Sequence, residues 1–207
     1  MCAIVGSFDV DKVKELVDLN AYRGQHSYSI AEYFPSTKEI KLHKRALGKF
    51  DLSGVEFNGG YIICHTQAPT TDARGLDNVH PSEFSDSYLW HNGIIKDRCV
   101  KQLQETWKLK DVAWDTKLIH VDNKMGGSLS DIDGTFSCLM FDKGELFLFR
   151  NKISPMFIDS DFNISSTKFE GAKKTDPEWV YAMDFKNYEL VETAAFITKE
   201  NPYFFLQ

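Results

Sequence analysis

The second residue of the chain is a cysteine, Cys2. Because cysteine is small, we expect removal of the initiator methionine to leave it first, with a free α-amino group beside its own thiol. A model α-amine has a pKa of about 7.7 to 8.0, so much of it is unprotonated at neutral pH. Such an amine can take the thiol proton, directly or through a water, without a histidine. Cys2 is therefore a candidate nucleophile, and the alternative is a small apolar residue that starts a buried strand.

Asn92 and Gly93 form a second candidate feature, within the segment Trp-His-Asn-Gly. The side-chain amide of Asn92 and the backbone N–H of Gly93 can both direct donors at one point. Two such donors make an oxyanion hole, in which losing one donor typically slows a reaction about 10²- to 10³-fold. Asn-Gly is also the commonest dipeptide of a tight turn, so the motif alone leaves both interpretations open.

Two polar segments border predicted elements. Residues 65–72 follow an apolar run, and a polar loop that leaves a strand is a common place for ligand contacts. The alternative is an ordinary connecting loop. Residues 23–27, Arg-Gly-Gln-His-Ser, follow the first predicted helix, where Gly24 also fits a simple C-terminal cap.

Apolar runs and helical spacing predict the elements that must position these residues. Five segments have the composition of strands: residues 3–8, 61–65, 136–142, 145–150 and 189–198. Lys143-Gly144 between two of them indicates a tight hairpin. Three segments have the apolar spacing of helices: residues 11–20, 97–108 and 115–124. The mixture predicts an α+β fold, with two antiparallel sheets and helices packed outside them.

Composition and charge exclude several classes of protein. The net charge of −6 argues against a protein that binds nucleic acid by neutralising phosphates. No apolar run reaches the roughly 18 to 20 residues of a membrane span, and the amino terminus lacks the features of a signal peptide. Four cysteines among 207 residues do not make a disulfide framework. We therefore expect a cytoplasmic globular protein, and the lack of a long linker predicts one domain over residues 1–207.

A zinc site is an alternative use of some of these side chains. Its candidate ligands are Cys64, His65, His91 and Cys99. The sequence has no C-x-x-C pair, and the adjacent residues Cys64 and His65 lack the usual spacing of zinc ligands. We therefore expect no metal and interpret His65 as a residue of a strand.

The order and spacing of the motifs, taken together, resemble the class II glutamine amidotransferases, whose glutaminase domains are amino-terminal-nucleophile hydrolases. The segments that carry the resemblance are CAIVGSF, YRGQHS, HTQAPT, WHNGII, WDTKLI and LFRNKISPMFI. The resemblance extends from Cys2 to about residue 170. It implies the four-layer α-β-β-α sandwich of those hydrolases, and it implies hydrolysis of the glutamine side-chain amide to glutamate and ammonia without a cofactor.

The resemblance also implies roles for single residues. Cys2 corresponds to the nucleophile that forms a γ-glutamyl thioester, and its α-amine corresponds to the base. Asn92 and the N–H of Gly93 correspond to the oxyanion hole, and Asp115 corresponds to the carboxylate that receives the α-ammonium of glutamine. Two further positions have supporting roles: Arg23 matches an arginine that supports the surroundings of the nucleophile, and Thr70 falls where the loop contacts substrate.

Gln67 departs from the pattern of the family. The family usually has His-Thr-Arg where this chain has His65-Thr66-Gln67, and that arginine pairs with the α-carboxylate of glutamine. A neutral amide cannot replace the charge. Arg74, seven positions further on, is the candidate substitute, and a solvated loop arginine is its alternative interpretation.

Three functional interpretations therefore stay open. In the first, a stand-alone glutaminase passes ammonia to a separate synthase chain, since 207 residues leave no room for a fused one. In the second, the chain hydrolyses another small amide or a γ-glutamyl substrate whose carboxylate is absent or blocked. In the third, the fold serves as a non-catalytic binding module.

Overall fold

A computed structural model of the protein describes residues 2–68 and 75–199. Its helices and strands, in chain order, are β1 (Cys2–Ser7), α1 (Val10–Leu19), β2 (Ser27–Phe34), β3 (Glu39–Leu47), β4 (Tyr61–Gln67), β5 (Ser82–Phe84), β6 (Ser87–Ile95), α2 (Asp97–Thr106), α3 (Asp115–Lys124), β7 (Gly134–Asp142), β8 (Glu145–Arg150), β9 (Phe157–Ile158), β10 (Ile164–Ser165), β11 (Lys173–Lys174), β12 (Trp179–Asp184) and β13 (Glu189–Ala195). In this part of the chain, no helix is long and apolar enough to cross a membrane.

The strands form two antiparallel sheets. The first sheet has seven strands in the order β11-β9-β10-β1-β4-β2-β3, and the second has six in the order β13-β12-β8-β7-β6-β5. Strand β1 lies inside the first sheet, between β10 and β4, and all six of its residues are buried. The strand that begins with Cys2 is therefore held on both edges and covered on both faces.

Alternation along the strands builds three apolar layers. Ile4 and Ile63 of the first sheet pack against Trp90 and Leu148 of the second, so the sheets meet face to face. On the opposite face of the first sheet, apolar residues pack against Val13, Leu16 and Val17 of α1. On the opposite face of the second sheet, apolar residues pack against α2 and α3. The order of layers is helix, sheet, sheet, helix, which confirms the predicted four-layer sandwich.

Helix α1 begins and ends where the sequence predicts, to within one residue. Asp9 is its N-cap, and the Asp9 side chain accepts a hydrogen bond of 2.8 Å from the backbone N–H of Asp11. The chain then makes a short 3₁₀ turn over Ala21–Arg23 and reaches Gly24. This turn returns the chain to the first sheet close to Cys2.

Gly24 allows a close approach between this turn and the end of β4. A Cβ atom at position 24 would lie 2.2 Å from the backbone N of Ala68, far closer than van der Waals contact. The neighbouring His26 donates its backbone N–H to the carbonyl oxygen of Gln67 at 2.8 Å. Gly24 is thus required by packing, and it sets the distance between the turn carrying Arg23 and the strand carrying Gln67.

We predict that Gly24→Ala destabilises the protein by about 2 kcal/mol or more, because the added methyl group overlaps the backbone of Ala68. Urea unfolding measures the change. Gly75→Ala is the matched control, because a Cβ there meets open space and the backbone of Gly75 is extended. Equal stabilities of the two variants would contradict the close approach.

Candidate active site

Cys2 begins β1 and lies directly opposite Gln67 of β4. Its side chain is on the same face of the sheet as Ile4, the face that meets the second sheet. Cys2 is 7% exposed, and this burial raises the pKa of the thiol to about 12. The positive charge of Arg23 and a hydrogen bond from the backbone of Ala68 act in the opposite direction. The resting thiol is therefore protonated, and it needs a base to become a nucleophile.

Arg23 connects Cys2 to the second sheet. Its Nε donates to the carbonyl oxygen of Cys2 at 2.7 Å, and its Nη2 donates to Oδ1 of Asn92 at 3.4 Å. Asn92 lies on β6, two residues from Trp90, so it shares the face that meets the first sheet. One guanidinium thus holds the two candidate catalytic residues, which come from different sheets, on the same side of the interface between the sheets.

The amide of Asn92 keeps a free donor. Asn92 is 4% exposed, and among the described residues its buried Nδ2 has no hydrogen-bond partner. Because Arg23 donates to Oδ1, the orientation of the amide is fixed with Nδ2 on the other side. A buried unpaired donor is costly, so such a group indicates a ligand or a functional role.

Asn92 and Gly93 lie within β6, so the interpretation of the dipeptide as a tight turn is wrong. Gly93 is opposite Phe136 of β7. A Cβ atom at position 93 would lie 1.8 Å from the carbonyl oxygen of Thr135, so only glycine fits at this position.

The backbone N–H of Gly93 points away from β7. The N–H of Ile94 bonds to Oγ1 of Thr135 on β7, whereas the N–H of Ile95 bonds to Oδ2 of Asp115 on α3. Successive N–H groups of a strand point to opposite edges. Gly93 therefore presents its N–H at the same edge as Ile95, on the side of Asp115.

Asp115 is a buried carboxylate at the first turn of α3. Its Oδ1 accepts from the N–H of Thr116 at 2.8 Å, and its Oδ2 accepts from the N–H of Ile95 at 3.3 Å. None of the ion pairs among the described residues includes it. Its negative charge contributes to the raised pKa of Cys2. A buried anion near the thiol, without a cationic partner, suits the binding of an ammonium group.

Gln67 is buried beside Cys2 and belongs to a hydrogen-bond chain that the sequence did not predict. Its side-chain amide lies 3.1 Å from Nδ1 of His80, through the atom assigned as Oε1. Nε2 of His80 lies 3.0 Å from Oγ1 of Thr116. The same hydroxyl lies 3.1 Å from Nδ1 of His91, and Nε2 of His91 lies 3.3 Å from the carbonyl oxygen of Thr135. This series of hydrogen bonds leads from β4 through His80 to α3 and then to β6 and β7.

His65 packs against this series of hydrogen bonds, but its side chain is not one of the groups in the series. Its ring stacks on His80 with centroids 3.8 Å apart, and its Nε2 donates to the carbonyl oxygen of His91 at 3.2 Å. Burial lowers the pKa of His65 to about 3 and lowers that of His80 well below its ordinary value. Both imidazoles are therefore neutral and weakly basic, and neither is a suitable base for Cys2.

The candidate zinc ligands do not converge. Cys64 packs among the residues that face α1, whereas His65 faces the second sheet, because successive strand residues point to opposite faces. Within the described ranges, no three His, Cys, Asp or Glu side chains are placed to hold a metal ion. Thr70 and Arg74 lie outside the described residues, so their suggested contacts with substrate stay predictions.

Solved structures share this fold. Glutamine phosphoribosylpyrophosphate amidotransferase from B. subtilis, complexed with ADP and GMP, aligns with a TM-score of 0.69 at 16% identity, over 93% of this chain and 49% of that one. A structure described as the allosteric regulatory enzyme of purine biosynthesis aligns with a TM-score of 0.66 at 14% identity, over 93% and 48%. The chain therefore spans about half the length of each of them.

The sequence itself matches no protein-family model and no curated protein. The likeness to the solved structures thus rests on the arrangement of the two sheets and the flanking helices. At this level of identity it establishes the fold alone, a four-layer sandwich of the kind that the resemblance in the sequence implies.

We predict that Asp115→Asn speeds the alkylation of Cys2 by iodoacetamide about two- to tenfold at pH 8. Removal of the negative charge lowers the pKa of the thiol, and one pKa unit changes the thiolate fraction about tenfold. Peptide mass spectrometry follows the adduct on Cys2. Asp97→Asn, in the exposed first turn of α2, is the matched control and should leave the rate unchanged. An unchanged rate in Asp115→Asn would mean that its charge does not act on the thiol.

Proposed function

We propose that the protein is an amidohydrolase of the class II glutamine amidotransferase type. It hydrolyses the side-chain amide of a glutaminyl substrate through a thioester on Cys2 and releases ammonia. The observation that carries the proposal is the buried Nδ2 of Asn92, which has no partner in the part of the chain that the structure describes and which Arg23 holds next to the strand that begins with Cys2. An oriented donor beside a buried thiol is the arrangement that stabilises an oxyanion.

The first half-reaction forms the thioester. Once Met1 is removed, the α-amine of Cys2 takes the thiol proton while the sulfur attacks the side-chain carbonyl carbon of the substrate. The carbonyl oxygen becomes an oxyanion, which accepts hydrogen bonds from Nδ2 of Asn92 and from the N–H of Gly93. The tetrahedral intermediate then breaks its C–N bond, and the protonated α-amine gives its proton to the leaving nitrogen, which departs as ammonia.

The second half-reaction restores the enzyme. A water molecule loses a proton to the α-amine and attacks the thioester carbonyl, and the same two donors bind the second oxyanion. The C–S bond breaks, the acid product leaves, and the sulfur recovers the proton from the amine. The amine is the natural base for both steps, because burial makes His65 and His80 weakly basic.

Asp115 links the binding of substrate to the activation of Cys2. Its negative charge disfavours the thiolate in the resting site. The α-ammonium of a bound substrate would neutralise that charge in a partly desolvated pocket. The thiol then loses its proton more easily when substrate is present, which protects the nucleophile from side reactions in the absence of substrate.

The destination of the ammonia belongs to the same proposal. We infer that the 207-residue chain acts as one glutaminase domain in the cytoplasm and that a separate synthase chain receives the ammonia. The alternative is a free-standing amidohydrolase whose substrate is a different small amide or a γ-glutamyl compound. Gln67 favours this alternative, because it puts a neutral amide, bound to His80, beside Cys2.

A non-catalytic binding module on the same fold is the other candidate function. Its binding site would need neither a thiol that is paired with an amine nor a free oxyanion donor. The retention of Cys2, Asn92, Gly93 and Asp115 around one point argues against it.

We predict that Asn92→Ala lowers kcat for ammonia release about 10²- to 10³-fold with little change in KM, because the lost donor acts in the transition state. A coupled ammonia assay measures both constants, and Cys2→Ala sets the background. Asn58→Ala, at an exposed loop position, is the control and should retain full activity. If Asn92→Ala turns over at the rate of the unmodified protein, the oxyanion role is wrong.

A further inference from the structure

When its histidines are neutral, the hydrogen bonds from Gln67 to Thr135 allow only one arrangement of donors and acceptors. The carbonyl oxygen of Thr135 can only accept, so Nε2 of His91 carries the hydrogen and Nδ1 of His91 is a bare acceptor. The hydroxyl of Thr116 has one hydrogen, which it must donate to Nδ1 of His91. The same hydroxyl must then accept from Nε2 of His80.

This arrangement fixes the amide of Gln67. Because His80 carries its hydrogen on Nε2, its Nδ1 is a bare acceptor and needs a donor from Gln67. A half-turn about the last side-chain bond exchanges the amide oxygen and nitrogen without moving any other atom. Because Nδ1 of His80 needs a donor, the NH₂ group of Gln67 faces His80 and its carbonyl oxygen points away from His80.

The surroundings of Cys2 are thus rich in acceptors. Cys2 and Gln67 are directly opposite each other on one face of the sheet, so their side chains are neighbours. Asp115 adds a buried carboxylate without a cationic partner among the described residues. Arg23 is the described side-chain cation that acts on the thiol, and it donates to Cys2 and to Asn92 instead of to open space.

We propose that Gln67 is a specificity-determining residue, whose carbonyl oxygen selects glutaminyl substrates with a free α-amine and an α-amide N–H in place of the α-carboxylate. The inference rests on the proposed function and narrows its substrate class to amino-terminal glutaminyl groups. An α-carboxylate has only acceptors, and it would meet the acceptor of Gln67 near the negative charge of Asp115. An α-amide offers the N–H that the Gln67 oxygen needs.

The first test compares L-glutamine with its α-N-methylamide, which also has one primary amide. Ammonia release at pH 8 should give a kcat/KM about tenfold or more higher for the methylamide. Equal or lower kcat/KM for the methylamide would overturn the inference and leave the proposed function intact. Ammonia release from neither compound would overturn the proposed function.

Binding to the Cys2→Ala variant separates these two failures, because it requires no turnover. Calorimetric titration should give a lower Kd for the methylamide than for L-glutamine. The reverse order would overturn the inference whether or not the enzyme turns over.

Variants of Thr116 test whether the hydrogen-bond chain orients Gln67. Thr116→Val removes the hydroxyl that lies between His80 and His91. The Gln67 amide is then free to turn, so the preference for the methylamide should fall several-fold. Thr116→Ser keeps the hydroxyl and should keep the preference. A merely structural role would lower the activity on both compounds alike, so an unchanged ratio in Thr116→Val would overturn the positioning role.

Discussion

The candidate site depends on one guanidinium group that spans the two sheets. Arg23 donates to the carbonyl oxygen of Cys2 in the first sheet and to Oδ1 of Asn92 in the second. The bond to Asn92 leaves Nδ2 free, and the bond to Cys2 anchors the start of β1. The turn that carries Arg23 can lie this close to the sheet only because residue 24 is glycine. Arg23 thus keeps the proposed nucleophile and the proposed oxyanion donor, which come from separate sheets, in a fixed relation without a covalent link.

Burial determines the chemistry that remains possible around this group. A thiol with a pKa near 12 and histidines of low basicity cannot form the usual thiol–imidazole pair. The amine of a processed amino terminus has a pKa suited to proton transfer near neutral pH. Asp115, which has no cationic partner among the described residues, makes the resting thiol still less acidic. In the proposed mechanism a cationic substrate group binds there and activates the nucleophile.

Much of the fold could be predicted from the sequence, because apolar runs and helical spacing mark β1, β4, β7, β8 and the three helices to within a few residues. Strands β2 and β3 escaped prediction because they mix polar and apolar residues: Glu32 is fully buried, paired with His43 and bonded to two backbone N–H groups. No sequence pattern predicts a carboxylate that is buried in this way.

Some of the site residues could be predicted from the sequence, whereas the role of others depends on contacts made only in the fold. Residue type and position make Cys2, Asn92 and Gly93 candidates, whereas Asp115 is a candidate only through the resemblance in the order of motifs. His80 and Thr116 were missed because their role depends on contacts between residues 36 positions apart. The adjacency of Thr116 to Asp115 was the available signal, and it is weak. The departure at Gln67 was visible in the sequence, whereas the neighbour that orients its amide was visible only in the fold.

In the proposed function, Cys2 is an amino-terminal nucleophile that attacks a glutaminyl group. The most direct measurement is the intact mass of the purified protein before and after incubation with a diazo-ketone analogue of glutamine. We expect the loss of one methionine and the gain of a single adduct, located on Cys2 and not on the buried Cys64, Cys99 or Cys138. A protein that retains Met1 and gains no adduct, or one that is labelled equally in the Cys2→Ala variant, would contradict it.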